Sequence, residues 1–424
     1  MPRALSIPFS LLVVSAALCT SLPAQVPGFP PPDWTYQSNQ TSAALGTWVS
    51  AASDVNGDGY DDVVVSAAGQ DGAVRDEGQV LLFLGGPGGL SSSPVWSVTG
   101  TSDGARLTAP ARTGDINGDG YDDILLSDGR LFFGSSAGVS PSFQATGLYV
   151  PYGFNAADVD GDGYGDIAVS HDLYYGSASG LSSNGVGFRK NIKGATCFLL
   201  SDLTGDGNVD LVVSADPQSW DNPKGNKQGA VYLFPGDSHG WARGQFFVSD
   251  FTWSSASPCV RAVGDVDADG HNDFLLALFG DPDVVPAPGW FSDVHLFHGS
   301  GSGYVAPTSS FYSSLNGALE QYGGAGDVNG DGFADLLIVD EGSLGQRARV
   351  FSGGAGALVE IALLDGLDPA SQYFSNLASG AGDVNGDGYD DLIVGWPTFS
   401  DGEADEGQVA LYLGSATWPA PAAP

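Results

Sequence analysis

The nine-residue signature Asp-x-[Asn/Asp/Thr]-x-Asp-Gly-x-x-Asp occurs seven times, beginning at Asp54, Asp115, Asp158, Asp202, Asp265, Asp327 and Asp383. Successive copies lie 61, 43, 44, 63, 62 and 56 residues apart. A period of this size marks a chain assembled from one supersecondary unit that cannot bury its apolar faces alone. Each copy has the same surroundings. A short apolar run follows the last Asp: Val63–Val65, Ile124–Leu126, Ile167–Val169, Leu211–Val213, Phe274–Leu276, Leu336–Ile338 and Leu392–Val394. Runs this short, bounded by Asp and Gly, read as buried strands rather than helices. A second run ends in glycine at Gly85, Gly134, Gly176, Gly236, Gly299, Gly353 and Gly414. A tight Gly/Ser turn follows, and the third strand counted after the Asp loop, the outer strand of the unit, is expected to begin near Leu90, Val139, Leu181, Trp241, Tyr304 and Leu358. With one more strand before each Asp loop, every unit holds four strands.

Four-stranded units repeated four to eight times build a β-propeller. The expected fold is therefore all-β, a seven-bladed propeller over residues 25–415, with a Pro/Ala tail at 416–424. The seventh unit lacks an outer strand, whereas the stretch around Trp34–Gln37 has no unit of its own. Residues 33–38 are thus expected to complete the last blade and close the ring, protecting edges that an open ring would expose.

Composition restricts the function. The 424 residues carry 14 Lys plus Arg against 50 Asp plus Glu, a formal charge of −36. That balance excludes an electrostatic nucleic-acid binder and disfavours adsorption to anionic membranes. A content of 63 glycines and 25 prolines, with one methionine, suits a turn-rich β protein. Residues 1–24 read as a secretory signal, with Arg3 ahead of an apolar stretch from Ile7 to Leu18 that is too short to span a bilayer. The expected location is secreted or cell-surface, extracellular or periplasmic, with no membrane span.

The repeated loops have the chemistry of calcium sites. Calcium takes six to eight oxygens from carboxylates, carbonyls and water. Positions 1, 3, 5 and 9 supply side chains and position 7 a backbone carbonyl. The candidate ligands are Asp54, Asn56, Asp58, Tyr60 and Asp62; Asp115, Asn117, Asp119, Tyr121 and Asp123; Asp158, Asp160, Asp162, Tyr164 and Asp166; Asp202, Thr204, Asp206, Asn208 and Asp210. The remaining units supply Asp265, Asp267, Asp269, His271 and Asp273; Asp327, Asn329, Asp331, Phe333 and Asp335; Asp383, Asn385, Asp387, Tyr389 and Asp391. Position 12 is apolar and lies in a strand, so these loops are not EF-hands. Up to seven Ca²⁺ are expected, one per blade, with the unit carrying Thr204 the weakest.

The run Gly382-Asp383-Val384-Asn385-Gly386-Asp387-Gly388-Tyr389-Asp390-Asp391-Leu392-Ile393-Val394-Gly395 resembles the FG-GAP repeat of the integrin α-subunit propeller and its bacterial relatives. The Phe-Gly part survives loosely as Phe374-Ser375 and Tyr322-Gly323. The Gly-Ala-Pro part is reduced to Gly395-Trp396-Pro397 or Ser214-Ala215-Asp216-Pro217. The resemblance covers about residues 33–415. It implies a seven-bladed propeller, calcium between the first and second strands of a blade, and a binding or adhesion role.

The loops between second and third strands open on the face opposite the Asp loops. Several carry aromatic residues: Trp220, Trp290, Phe291, Trp396 and Phe399. These are candidates to stack on a sugar or anchor a protein, or else they cap the blade core. Catalysis is poorly supported. None of the five histidines forms a zinc motif, and no nucleophile elbow or phosphate loop is present. The readings are a secreted macromolecule-binding or adhesion module with an extracellular protein or glycan partner and, as the alternative, a lectin or a lyase-like polysaccharide-processing propeller. Units one and seven share Asp-Glu-Gly-Gln-Val, read as a turn into the third strand. Cys197 and Cys259 sit on neighbouring inner strands with a one-residue offset, which leaves a disulfide open.

Overall fold

The run after each Asp loop is apolar without interruption because both of its faces are covered. Side chains alternate along a strand, so one run serves two neighbouring blades. In Asp62–Ala67 all six residues are buried. Val63 and Val65 pack with Ala381, Val384, Ile393 and Leu411, while Val64 packs with Leu107, Ile124, Leu126 and Phe132. The computed structural model describes residues 31–109, 112–150, 154–169, 172–187, 195–215, 230–237, 240–241, 257–280, 291–305, 312–314, 319–342, 345–365 and 377–418. Among these there are seven such clusters, one at each junction between consecutive sheets. The chain is a seven-bladed β-propeller, and no helix occurs among the described residues.

Blade one is the antiparallel meander Leu45–Ser53, Asp62–Ala67, Gln79–Phe83 and Trp96–Thr99. Blade three runs through Asn155–Ala157, Asp166–Val169, Asp172–Tyr174 and Val186–Gly187. Blade six runs through Leu319–Gly326, Asp335–Gly342, Gly345–Ser352 and Val359–Asp365. Blade five is built on Ser257–Gly264, Asp273–Gly280 and Phe291–Ser300, and both Gly303–Val305 and Tyr312–Ser314 pair with the last of these. Blade four contains Ala195–Ser201, Asp210–Ala215 and Ala230–Phe234, followed by a small hairpin, Gly236–Asp237 with Gly240–Trp241.

Blade two departs from four strands. It has Ile124–Leu125, Arg130–Phe132 and Phe143–Ala145, with no strand before its Asp loop among the described residues. Side-chain hydroxyls replace part of that ladder. Leu125 donates its N–H to Thr113 Oγ1 at 3.1 Å, and Thr108 donates to Ser127 Oγ at 3.0 Å. Pro110, in the same stretch, has no N–H to offer a ladder. A second correction concerns the outer strands. In blades one to three they begin at Trp96, Phe143 and Val186, not near Leu90, Val139 and Leu181. Those three residues sit at the end of the Gly/Ser turn, where Leu90 and Leu181 are buried in the clusters between blades. Burial of a single side chain, rather than strand pairing, accounts for their apolar character.

The ring closes as expected. Trp34–Gln37 pairs antiparallel with Gln408–Tyr412 and becomes the outer strand of blade seven, which also contains Ala378–Gly382 and Asp391–Trp396. The Trp34 and Tyr36 rings each meet Phe83 of blade one edge-on at 5.0 Å. On the Asp-loop face, Asp61 N–H donates to the Asp383 carbonyl at 3.2 Å, and Asp383 N–H returns to Asp61 Oδ2 at 3.0 Å. The signal segment 1–24 lies outside the described residues. Cys259 is disulfide-bonded. Of the two other cysteines, Cys197 lies on the adjoining inner strand, whose register slips between Ala195 and Cys197.

Trp34→Ala removes half-buried aromatic surface from the closing blade, and we expect a loss of about 2–3 kcal/mol, below the 3–5 typical of a fully buried ring. Deleting residues 25–40 is expected to lower the melting temperature further than either Trp34→Ala or Tyr36→Ala. An unchanged melt in the deletion would contradict closure by this strand.

Candidate metal centres

Each Asp loop is a chain of side-chain-to-backbone hydrogen bonds, the local habit of Asp and Asn. The position-1 carboxylate accepts from the N–H groups of positions 5 and 6. In blade one, Asp58 N–H donates to Asp54 Oδ1 at 3.0 Å and Gly59 N–H donates to Asp54 Oδ2 at 2.8 Å. The same pair recurs at Asp115, Asp158, Asp202, Asp265, Asp327 and Asp383. The position-5 carboxylate accepts from position 7 in all seven loops, as with Tyr60 N–H on Asp58 Oδ1 at 3.1 Å. The position-6 glycines have φ between 85° and 91°, which L side chains rarely adopt, and a Cβ there would meet open space. Backbone conformation, not crowding, therefore demands glycine.

The position-9 aspartate has a different environment. Asp62, Asp123, Asp166, Asp210, Asp273, Asp335 and Asp391 are all buried. One oxygen accepts from the N–H of loop position 2, and the other from the glycine that ends the third strand. For Asp62 the donors are Val55 at 3.0 Å and Gly85 at 2.9 Å; for Asp391 they are Val384 at 3.0 Å and Gly414 at 2.8 Å. The remaining five repeat the arrangement between 2.7 and 3.0 Å. These hydrogen bonds leave each oxygen a second lone pair. Burial pushes the Asp62, Asp123, Asp335 and Asp391 carboxyls up to about 7 and Asp166 to about 6. The two N–H donors oppose the rise, and neighbouring loop carboxylates add to it.

The donor set fits a hard cation. In the three loops without Asn at position 3, the side-chain oxygens Asp160 Oδ1, Thr204 Oγ1 and Asp267 Oδ1 are buried without a hydrogen-bond partner. Buried polar atoms are rarely left so, and a cation bound in the loop would satisfy them. In blade three, oxygens of Asp158, Asp160 and Asp166 lie within 4.8 Å of one another; in blade five those of Asp265, Asp267 and Asp269 do the same. In these two loops three of the four acidic side chains singled out in the sequence are brought together.

Position 7 carries information the spacing did not reveal. Its side chain leans onto the position-4 glycine of the preceding blade. A Cβ at Gly57 would meet the Tyr121 ring at 2.7 Å, one at Gly118 would meet Tyr164 at 2.6 Å, and one at Gly205 would meet His271 at 2.8 Å. Tyr389 lies on Gly330 and Tyr60 on Gly386 in the same way, the last across the ring closure. At Gly161, where the following blade has Asn208, no heavy atom lies within 4 Å. The available signal was that six of the seven position-7 residues are rings.

On the opposite face, Trp396 packs against the core shared by blades six and seven, and Phe399 is partly buried. Trp220 and Trp290 lie outside the described residues, as does the side chain of Phe291. The shared Asp-Glu-Gly-Gln-Val segments are turns into the third strand. Glu77 is buried and accepts from Ala73 and Val74 N–H at 3.1 and 3.3 Å; Glu406 is buried and accepts from Asp401 N–H at 2.7 Å.

Comparison with known proteins places this geometry. Residues 54–126 match the model of the FG-GAP-like repeat, and residues 375–412 match that of the FG-GAP repeat. The chain is similar to integrin alpha-IIb of Mus musculus, 38% identical over 109 residues, covering 22% of this chain and 10% of that protein. It is similar to integrin alpha-V of Gallus gallus, 31% identical over 174 residues, covering 37% of this chain and 15% of that protein. It thus spans only a small part of the relatives it matches.

Two outcomes are expected of the metal-free protein. Asp391→Ala strands two buried N–H groups, at about 1–3 kcal/mol each, so in chelator it should unfold at distinctly lower urea than the exposed-loop variant Asp387→Ala. Equal midpoints would contradict the structural role of position 9. The raised carboxyls also set a sign. Between the unfolded value of about 3.9 and about 7, the folded state holds more protons than the unfolded state. Metal-free stability is therefore greatest at low pH in this window and falls as pH rises through it. The urea midpoint in chelator should be higher at pH 5 than at pH 8.

Proposed function

We propose that this chain, which carries FG-GAP repeats on a seven-bladed propeller, is an exported calcium-loaded platform that binds a macromolecule, in the manner of an adhesion module. One observation carries the reading. The seven loops have their carboxylates aligned by backbone hydrogen bonds, and in the three loops without Asn at position 3 a buried oxygen there, on Asp160, Thr204 or Asp267, is left for a further partner to satisfy. Calcium would be held by the position 1, 3, 5 and 9 side chains and the position-7 carbonyl. It would supply positive charge where three or four carboxylates converge, and so rigidify the Asp-loop face. The protein's own residues do the rest. Position 9 ties each loop to its third strand, and position 7 ties it to the preceding blade.

Ligand recognition then falls to the opposite face, where the loops between second and third strands are short in blades two, three and six and longer in the others. Glu77 and Glu406 brace two of these loops from beneath. The similarity to integrin alpha chains supports a protein or glycan partner outside the cytoplasm. No helix among the described residues is long and apolar enough to cross a membrane.

The test is binding of the chain from residue 25 onward to arrays of glycans and of extracellular-matrix proteins, in millimolar calcium and again in chelator. The reading expects calcium-dependent hits that survive a charge-introducing substitution at an exposed position beside the Asp loops and outside the ligand set, such as Ser136→Lys. Silence on both arrays from a folded, calcium-loaded protein would contradict it.

A further inference from the structure

One of the seven loops differs from the rest in its donor chemistry. The residue before the glycine that ends the third strand lies beside the Asp loop. In six blades it is Leu84, Phe133, Tyr175, Pro235, Ser352 or Leu413; in blade five it is His298. Its backbone is fixed on both sides. Phe297 is fully buried and stacked on Phe274 at 4.7 Å, and Gly299 N–H is held by Asp273 Oδ1 at 2.8 Å. The imidazole is thereby directed over the loop. Its Nδ1 lies 3.2 Å from Asp267 Oδ2 and 3.4 Å from Asp273 Oδ2. Donor atoms of Asp267, Asp273 and His298 all fall within 4.8 Å of one another. Asp273 is completely buried, and Asp267 Oδ1 is buried without a hydrogen-bond partner.

We propose that blade five holds a transition-metal dication of the zinc type on His298, Asp267 and Asp273, in place of the calcium assigned to the other blades. The distinction is chemical. Calcium selects an all-oxygen shell, whereas imidazole nitrogen with two carboxylates and an open position suits zinc and its neighbours. Asp267 also belongs to the all-oxygen group with Asp265 and Asp269, so one carboxylate is shared between the two modes and the imidazole decides between them. The inference rests on the reading of the Asp loops as metal sites, and it confines the exception to one blade.

The test is isothermal titration of Zn²⁺ into the protein held in millimolar calcium, with Co²⁺ as a spectroscopic probe. The wild-type chain should bind one Zn²⁺ and give a cobalt d–d absorption. His298→Leu should lose both, with zinc affinity reduced at least about tenfold, the lower end for losing a group that supports a metal site. Leucine is the residue that blades one and seven carry at this position, so the substitution is compatible with the blade. The absence of a stoichiometric zinc site, or equal zinc affinity in His298→Leu, would overturn the proposal. The calcium-induced rise in melting temperature, recorded on the same samples, reports separately on the calcium reading.

Discussion

The buried carboxylate at position 9 is the interaction on which the rest of the structure depends. Seven times it joins the start of an Asp loop to the end of the third strand, with one oxygen for each. Without it, two backbone N–H groups per blade would be left in a dry environment, at a cost far larger than the net gain of an ordinary hydrogen bond. With it, the loop is pinned at both ends and its remaining carboxylates have only one way to face. The apolar run that follows is then held in register between two neighbours.

The same residue creates the electrostatic problem of the fold. Its charge is buried, and the position 1 and 5 carboxylates sit close by, in a chain of net charge −36. Backbone donors relieve part of that strain, which is why burial still dominates and lifts most of these carboxyls toward neutrality. A bound divalent cation would relieve the remainder by satisfying the three orphaned position-3 oxygens and offsetting the repulsion together. Fold and metal reading are therefore coupled. The rings at position 7 and the loop-to-loop backbone bonds make a change at one loop felt in the preceding blade.

Much of this was legible in the sequence because it repeats. The blade count, the all-β class and the donor role of Trp34–Gln37 in closure followed from seven copies and one missing strand. The repeated Asp-loop geometry, with Asp at positions 1, 5 and 9, followed from residue types at fixed spacing. What escaped had no period. Blade two replaces a strand with the Thr113 and Ser127 hydroxyls, and a hydroxyl's partner cannot be read from hydrophobic pattern. Leu90 and Leu181 looked like strand starts because a single buried side chain in a turn has the same local signature as the first residue of a strand. His298 was passed over because its partners, Asp267 and Asp273, come from the loop of a hairpin some 25 residues earlier, while motif spacing reads only near neighbours. The spacing gave position 7 only a backbone carbonyl; the packing of its rings became visible with the glycines they cover on the adjoining blade.

The most direct measurement is the melting temperature of the chain from residue 25 onward as a function of free calcium, alongside equilibrium dialysis to count the ions bound. If the Asp loops are preorganised metal sites that fasten the blades, the melt should rise steadily with calcium through the millimolar range, and the count should approach one calcium for each blade other than blade five. A melt that is the same in calcium and in chelator, with no stoichiometric binding, would contradict the account.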